Sequence, residues 1–125
     1  MRPKKCVTVE QAQGLQLKWR ESRGREIEQA QRYEDTREFW YSLDELQEYL
    51  DYVRTKTEEQ GLKNPGIRIY FGAYPGSGKE RSYSTVFLAP TSSSNEDHMQ
   101  EEGPQNNYDI DPFNHGNGGI PPTSY

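Results

Sequence analysis

GIRIYFGAYPGSGKERSYSTVFLAP, residues 66–90, decides the fold class. Ile67, Ile69, Phe71 and Ala73 alternate with Arg68, Tyr70, Gly72 and Tyr74, the period of two that marks a half-buried strand. Residues 82–89, SYSTVFLA, are rich in β-branched and aromatic side chains and read as a further strand, ended by Pro90. Only residues 75–81 lie between the two runs, so they are expected to pair as an antiparallel hairpin.

The connection itself, AYPGSGKE from Ala73, invites a phosphate-loop reading, with Gly78 and Lys79 as the cofactor-binding pair. Glu80 stands where a Ser or Thr hydroxyl would ligate Mg²⁺, and its carboxylate would repel phosphate. A phosphate loop must also open a helix whose N–H groups hold the anion. Here a strand follows, so Gly78 and Lys79 are rejected as a nucleotide site and read as hairpin-turn residues. No cofactor is expected.

Outward from the hairpin, Ser42-Leu43-Asp44-Glu45 fits the capping box S-x-x-E and starts a helix. Leu43, Leu46, Leu50 and Val53 follow as an apolar stripe flanked by Tyr49, with Asp44, Glu45, Glu48 and Asp51 facing water. Gly61 suits the position after the helix, and Asn64-Pro65-Gly66 reads as a turn. Before the helix, residues 34–41 read as a strand ending in Phe39, Trp40 and Tyr41. A helical crossover from this strand to the hairpin is long enough for parallel pairing. A first helix is expected over residues 9–31, capped by Thr8 with Glu10 in its first turn, and weakened near Gly24. Val9, Ala12, Leu15, Trp19, Ile27 and Ala30 would lie on one face of it. The predicted fold is α+β with the order α-β-α-β-β: a small three-stranded mixed sheet packed with one or two helices.

Domain limits follow from composition. Residues 1–91 carry the predicted elements; residues 92–107, SSSNEDHMQEEGPQNN, read as a mobile acidic linker. Residues 108–125 are Pro- and Gly-rich, with Tyr108, Ile110, Phe113, Ile120 and Tyr125 spaced through them. They read either as a disordered tail or as a docking strap over an apolar surface. The 125-residue chain is only 30% hydrophobic but has nine tyrosines, each a large ring with a polar tip. No run approaches the roughly 20 apolar residues of a membrane span. One cysteine, Cys6, allows no intrachain disulfide, and the N-terminus lacks an apolar signal region, so a cytoplasmic protein is expected.

Net charge is −5, unevenly spread: +4 over residues 1–33, −5 over 34–66, +2 over 67–91 and −6 over 92–125. Lys18, Arg20, Arg23, Arg25 and Arg32 could form a basic helix face, but a net acidic chain is a poor nucleic-acid binder. Charge points instead to a protein partner, a basic one for choice. Asp109, Asp111 and Asn114 resemble the start of a calcium loop. Pro112 interrupts it and Ile120 stands in place of the bidentate Glu, so turn chemistry is the better reading. His98 and His115, the only histidines, give no zinc set and no catalytic pair.

No catalytic constellation is recognisable, and a surface is the remaining candidate. Arg68, Tyr70 and Tyr74 share a strand face, with Arg37, Phe39 and Tyr41 expected on the same face of the preceding strand. Arginine interleaved with aromatics suits partner recognition, and Phe113 and Tyr125 are the tail's candidates for the same role. Against this, the first helix or the tail itself could cover that face.

The segments FWYSLDELQEYLDY (39–52), GIRIYFGAYP (66–75), TVFLAPT (85–91) and YDIDPFNHG (108–116) resemble a group of small uncharacterised bacterial proteins with the same segment order. The resemblance implies no activity, cofactor or site residue. It implies that the tail segment belongs to the folded unit and that Gly-Ser-Gly-Lys lies outside the shared pattern. The function expected is that of a small interaction or adaptor-type protein, one version being an acidic, immunity-like inhibitor. The alternative is a small-molecule-binding or enzymatic domain using the Arg/Tyr face. The oligomeric state is not legible.

Overall fold

Thr8 opens the first helix as expected. In the computed structural model, which describes residues 1–77, 80–94, 103–114 and 117–125, its hydroxyl accepts the Gln11 N–H. The Gln11 side chain accepts the Thr8 N–H in return, so two backbone donors that a helix start leaves over are satisfied. Helix α1 (Val9–Trp19) continues through a π-helical turn, Arg20–Gly24, into α2 (Arg25–Gln31). The weakness read at Gly24 thus appears as a widened turn rather than a break. A Cβ on Gly24 would lie 3.0 Å from the Trp19 ring, so the missing side chain is what lets that ring pack on the turn. The apolar face read along this helix is not a buried one: α1 has no buried residue, and Val9 and Leu15 are exposed.

The chain forms two compact units. One comprises Met1–Glu38 with Gly118–Tyr125; the other is Phe39–Asn117. The second contains the sheet and the hydrophobic core. Its two-residue strand β1 (Phe39–Trp40) precedes α3 (Leu43–Glu59). The Ser42 hydroxyl accepts the Glu45 N–H at 3.0 Å and donates to the Glu45 carboxylate at 2.9 Å. At the other end Gly61, at φ +71°, donates to the Glu58 carbonyl, and Leu62 donates to that of Thr57. This is a Schellman stop, and the left-handed residue in it needs glycine.

The buried face of α3 is displaced from the stripe read in the sequence. Leu43 is 85% exposed, whereas Tyr49, Val53 and Thr57 are buried. Tyr49 takes the middle position because its ring and its hydroxyl are both satisfied there. The ring stacks on Phe113 at 4.6 Å, and the single hydroxyl proton is shared between the carbonyls of Asp111 (2.9 Å) and, more weakly, Leu88 (3.3 Å).

Strands β2 (Lys63–Ala73) and β3 (Ser84–Ser93) pair antiparallel from Ala73↔Ser84 to Lys63↔Ser93. The expected hairpin forms. Asn64-Pro65-Gly66, however, is not a turn: it lies within β2, where the register shifts and Asn64 adopts φ +51°. A bulge absorbs the proline and the left-handed residue without ending the strand. Close backbone approach follows, since a Cβ on Gly66 would sit 2.7 Å from Thr91 Oγ1.

Pro90 does not end β3. Its carbonyl accepts the Asn107 N–H, and Leu88, on the same edge, exchanges both backbone bonds with Phe113. The donor that Pro90 lacks would therefore have pointed to that edge, and the β2 ladder loses nothing. The sheet is also antiparallel throughout rather than mixed. Its order is β2-β3-β4, with β4 (Gln105–Asn106) drawn from the stretch read as a linker, while β1 lies outside it. Residues 95–102 of that stretch are outside the described residues. The class remains α+β. Among the described residues no helix is long and apolar enough to cross a membrane.

The core of the second unit is Tyr49, Val53, Leu88 and Ile110, with Tyr41, Leu46, Tyr52, Ile67 and Phe113 packed against it. Ile110, from the predicted tail, is 1% exposed.

Candidate functional site

Two sides of the β2–β3 sheet carry different chemistry. On one side Arg68 donates to Asn106 Oδ1 at 2.7 Å and to the Pro104 carbonyl at 2.8 Å. Asn106 Nδ2 donates to the Tyr70 hydroxyl at 2.8 Å, and the Tyr70 ring stacks on Phe87 at 5.2 Å. The Asn106 bond, with the Arg68 guanidinium helping, moves the Tyr70 phenol below its usual range against the opposing effect of desolvation. These side chains hold the segment around β4 against the sheet. Beside them is a cavity of about 300 Å³ lined by Tyr70, Phe87, Ala89, Tyr108, Ile110 and Pro112.

Tyr41 and Tyr74 are brought together with Asn114. The Tyr41 hydroxyl donates to the Asn114 carbonyl at 2.6 Å, and the Tyr74 hydroxyl to Asn114 Oδ1 at 2.7 Å. Asn114 Nδ2 donates to the Val86 carbonyl and to Thr85 Oγ1. Burial, and secondarily the nearby Tyr74, raise the Tyr41 phenol. Phe113 lies between Tyr41 and Tyr49, at ring distances of 5.2 Å and 4.6 Å. Arg37 belongs to the other unit, where it bonds Ser124 Oγ at 3.0 Å and Gln16 Oε1 at 3.4 Å and pairs with Glu34 at 3.6 Å. Tyr125 donates its N–H to Gln16 there, with its ring exposed.

Of the side-chain oxygens read as a faint calcium loop, Asn114 Oδ1 takes the Tyr74 hydroxyl, and the Asp111 backbone carbonyl takes that of Tyr49. Among the described residues no group of three His, Cys, Asp or Glu side chains could hold a metal ion. Gly78, Lys79, His98 and His115 are outside the described residues. Glu80 donates its N–H to the Ser77 carbonyl, and the chain then runs into β3. A larger cleft, about 510 Å³, lies in the N-terminal unit. Arg20, Arg25 and Arg37 line it together with Glu21, Glu28, Glu34 and Asp35, so charges of both signs are interspersed.

The other side of the sheet was missed as a surface. Ile69 is 65% exposed and Phe71 86%, although their alternation reads as the buried face. Alternation shows which side of a strand is apolar, not whether anything covers it. One helix with four inward positions covers the sheet only near Ile67 and Leu88. Among the described residues β2 is also an edge strand. Leu88 uses both its backbone groups on Phe113, so its neighbour Ile69 directs its own N–H and C=O away from β3. With period two, Ile67, Ile69, Phe71 and Ala73 present to that edge backbone that is unpaired among the described residues, and apolar side chains to the less covered side.

No protein-family model, curated protein or solved structure matches the chain.

Proposed function

We propose that this is a small cytoplasmic interaction protein that binds another protein chain through the open apolar side of its sheet. The observation that carries the reading is Phe71, 86% exposed beside Ile69 on an edge strand. A soluble chain this poor in apolar residues gains nothing in stability from leaving two large ones together in water; contiguous apolar exposure marks an interaction surface. The exposed carboxylates of α3, Asp44, Glu45, Glu48 and Asp51, add a face suited to a basic partner, as an acidic inhibitor would use. A photo-crosslinking residue placed at Phe71 and, separately, at Glu48 tests this in cells. Discrete protein adducts at one of these positions, absent from a probe at exposed Leu15, are expected. No adduct at Phe71 or Glu48 would remove the reading.

A second reading has its own observation. The 300 Å³ cavity beside Tyr70 is lined by aromatic and aliphatic side chains with a few amide and hydroxyl groups, the composition of a small ligand site. A thermal-shift screen of small aromatic carboxylates, nucleosides and sugars addresses it. A saturable shift removed by Tyr70→Ala supports a ligand at this cavity; a flat screen counts against one.

A further inference from the structure

We propose that the occupant of the β2 edge is the same edge of a second copy, joining two three-stranded sheets into one across a two-fold axis. This rests on the reading of the open side of the sheet as a protein-binding surface, and it names what binds there.

The edge is built to accept a strand. Natural edge strands are guarded by charged side chains, prolines or bulges along their outward positions. Here the bulge and Pro65 lie at the start of β2. Ile67, Ile69, Phe71 and Ala73 then follow with no guard among them. Their N–H and C=O groups point outward at every second residue, because Leu88, opposite Ile69, turns its own backbone groups to Phe113.

The edge is also complementary to itself. An axis through Tyr70 sets Ile69 opposite the partner's Phe71, Phe71 opposite the partner's Ile69, and Ile67 opposite the partner's Ala73. All of these lie on the apolar side, where aromatic–aliphatic cross-strand pairs stabilise a sheet. The only charge in residues 67–73 is Arg68. It is tied to Asn106 and Pro104 on the opposite side, and the axis places it across from the partner's Gly72. Pairing two copies therefore brings no like charges face to face. A two-fold contact of one patch with itself is the commonest way identical chains associate.

Area sets the strength. Ile69 and Phe71 expose roughly 500–600 Å² on the two copies together, and in-plane pairing covers only part of it because the face of the joined sheet stays open. Stable interfaces bury roughly 1,200–2,000 Å² in all, so this edge makes a weak, concentration-dependent dimer. Each copy carries −5, so added salt should strengthen the association by screening repulsion. Binding of an acidic face to a basic partner would weaken instead.

Sedimentation velocity and native mass spectrometry on the purified full chain, from micromolar to millimolar, test the proposal. The expected result is a monomer–dimer equilibrium that tightens with salt and weakens at least roughly tenfold in Ile69→Lys. Both Ile69 and Phe71 are exposed, so Ile69→Lys and Phe71→Lys should keep the parent's circular dichroism and thermal midpoint. A monomer at every concentration would overturn the proposal, and so would a dimer that persists in both variants. If the purified chain is monomeric but the Phe71 probe captures a different protein in cells, the second copy is wrong and the interaction reading stands. If the chain is monomeric and neither the Phe71 nor the Glu48 probe captures anything, both fall.

Discussion

Replacing Ile110 with alanine should unfold the sheet-bearing unit much more easily, although Ile110 lies in a segment whose composition reads as a tail. The residue is 1% exposed and packs in one cluster with Tyr49, Val53 and Leu88. Ile110→Ala removes three carbons, worth about 0.8 kcal/mol each in transfer from water, or roughly 2.4 kcal/mol. The cavity left behind adds about 1 kcal/mol at 24 cal/mol per Å³, giving about 3–4 kcal/mol, within the range measured for such truncations. Urea denaturation followed by circular dichroism reads this directly. At about 1–1.5 kcal/mol per M, the midpoint falls by roughly 2–4 M. Ile120→Ala, at a position 58% exposed, is the control and should cost less than about 0.5 kcal/mol. If the two variants lose equally little, Ile110 is not a core residue and the folded unit ends before it.

Three other outcomes follow from the same packing. Asn107 is buried and bonds Gln60, Ser92 and the Asp109 N–H, so Asn107→Ala should cost about 1–3 kcal/mol in thermal or urea unfolding; a neutral result would mean the α3-to-tail link is absent. Gly61→Ala places a Cβ at φ +71° and should cost about 1–2 kcal/mol, whereas Gly14→Ala, mid-helix with open space around it, should stabilise or do nothing. The Tyr49 phenol is pushed up to about 12, by burial first and then by Tyr52 and Asp111. Its folded value lies above its unfolded one, so its contribution to stability is full below pH 10 and is lost as pH rises through 12. Absorbance at 295 nm should show a late ionisation step that Tyr49→Phe removes; ionisation of every tyrosine together near pH 10 would contradict this.

Local chemistry was readable in the sequence. The Ser42 cap, the Gly61 stop and the alternation that pairs β2 with β3 all depend on residues near one another in the chain, and they form where the pattern puts them. Long-range pairing was not readable. Gln105–Asn106 becomes a strand because β3 offers it an edge, and two residues carry no period. Ile110 and Phe113 enter the core from the stretch read as either a disordered tail or a strap; its Pro, Gly and Asn gave no period to decide between the two. The candidate surface was half legible. Arg68, Tyr70, Tyr41 and Tyr74 do engage partners, but those partners are the chain's own Asn106, Pro104 and Asn114. Ile69 and Phe71 passed as interior because an apolar strand face looks the same whether or not a helix covers it.

Amide hydrogen exchange at Ile69 and Phe71, compared with Arg68 and Tyr70, tests the open edge most directly. In dilute solution the amides of Arg68 and Tyr70, bonded to β3, should exchange slowly, while those of Ile69 and Phe71 should exchange nearly as fast as in an unstructured peptide. Raising the concentration toward millimolar should slow Ile69 and Phe71 selectively as the edge becomes paired. Ile69 and Phe71 as well protected as their neighbours in the dilute monomer would show that the edge is already covered, and the docking surface argued from it would not exist.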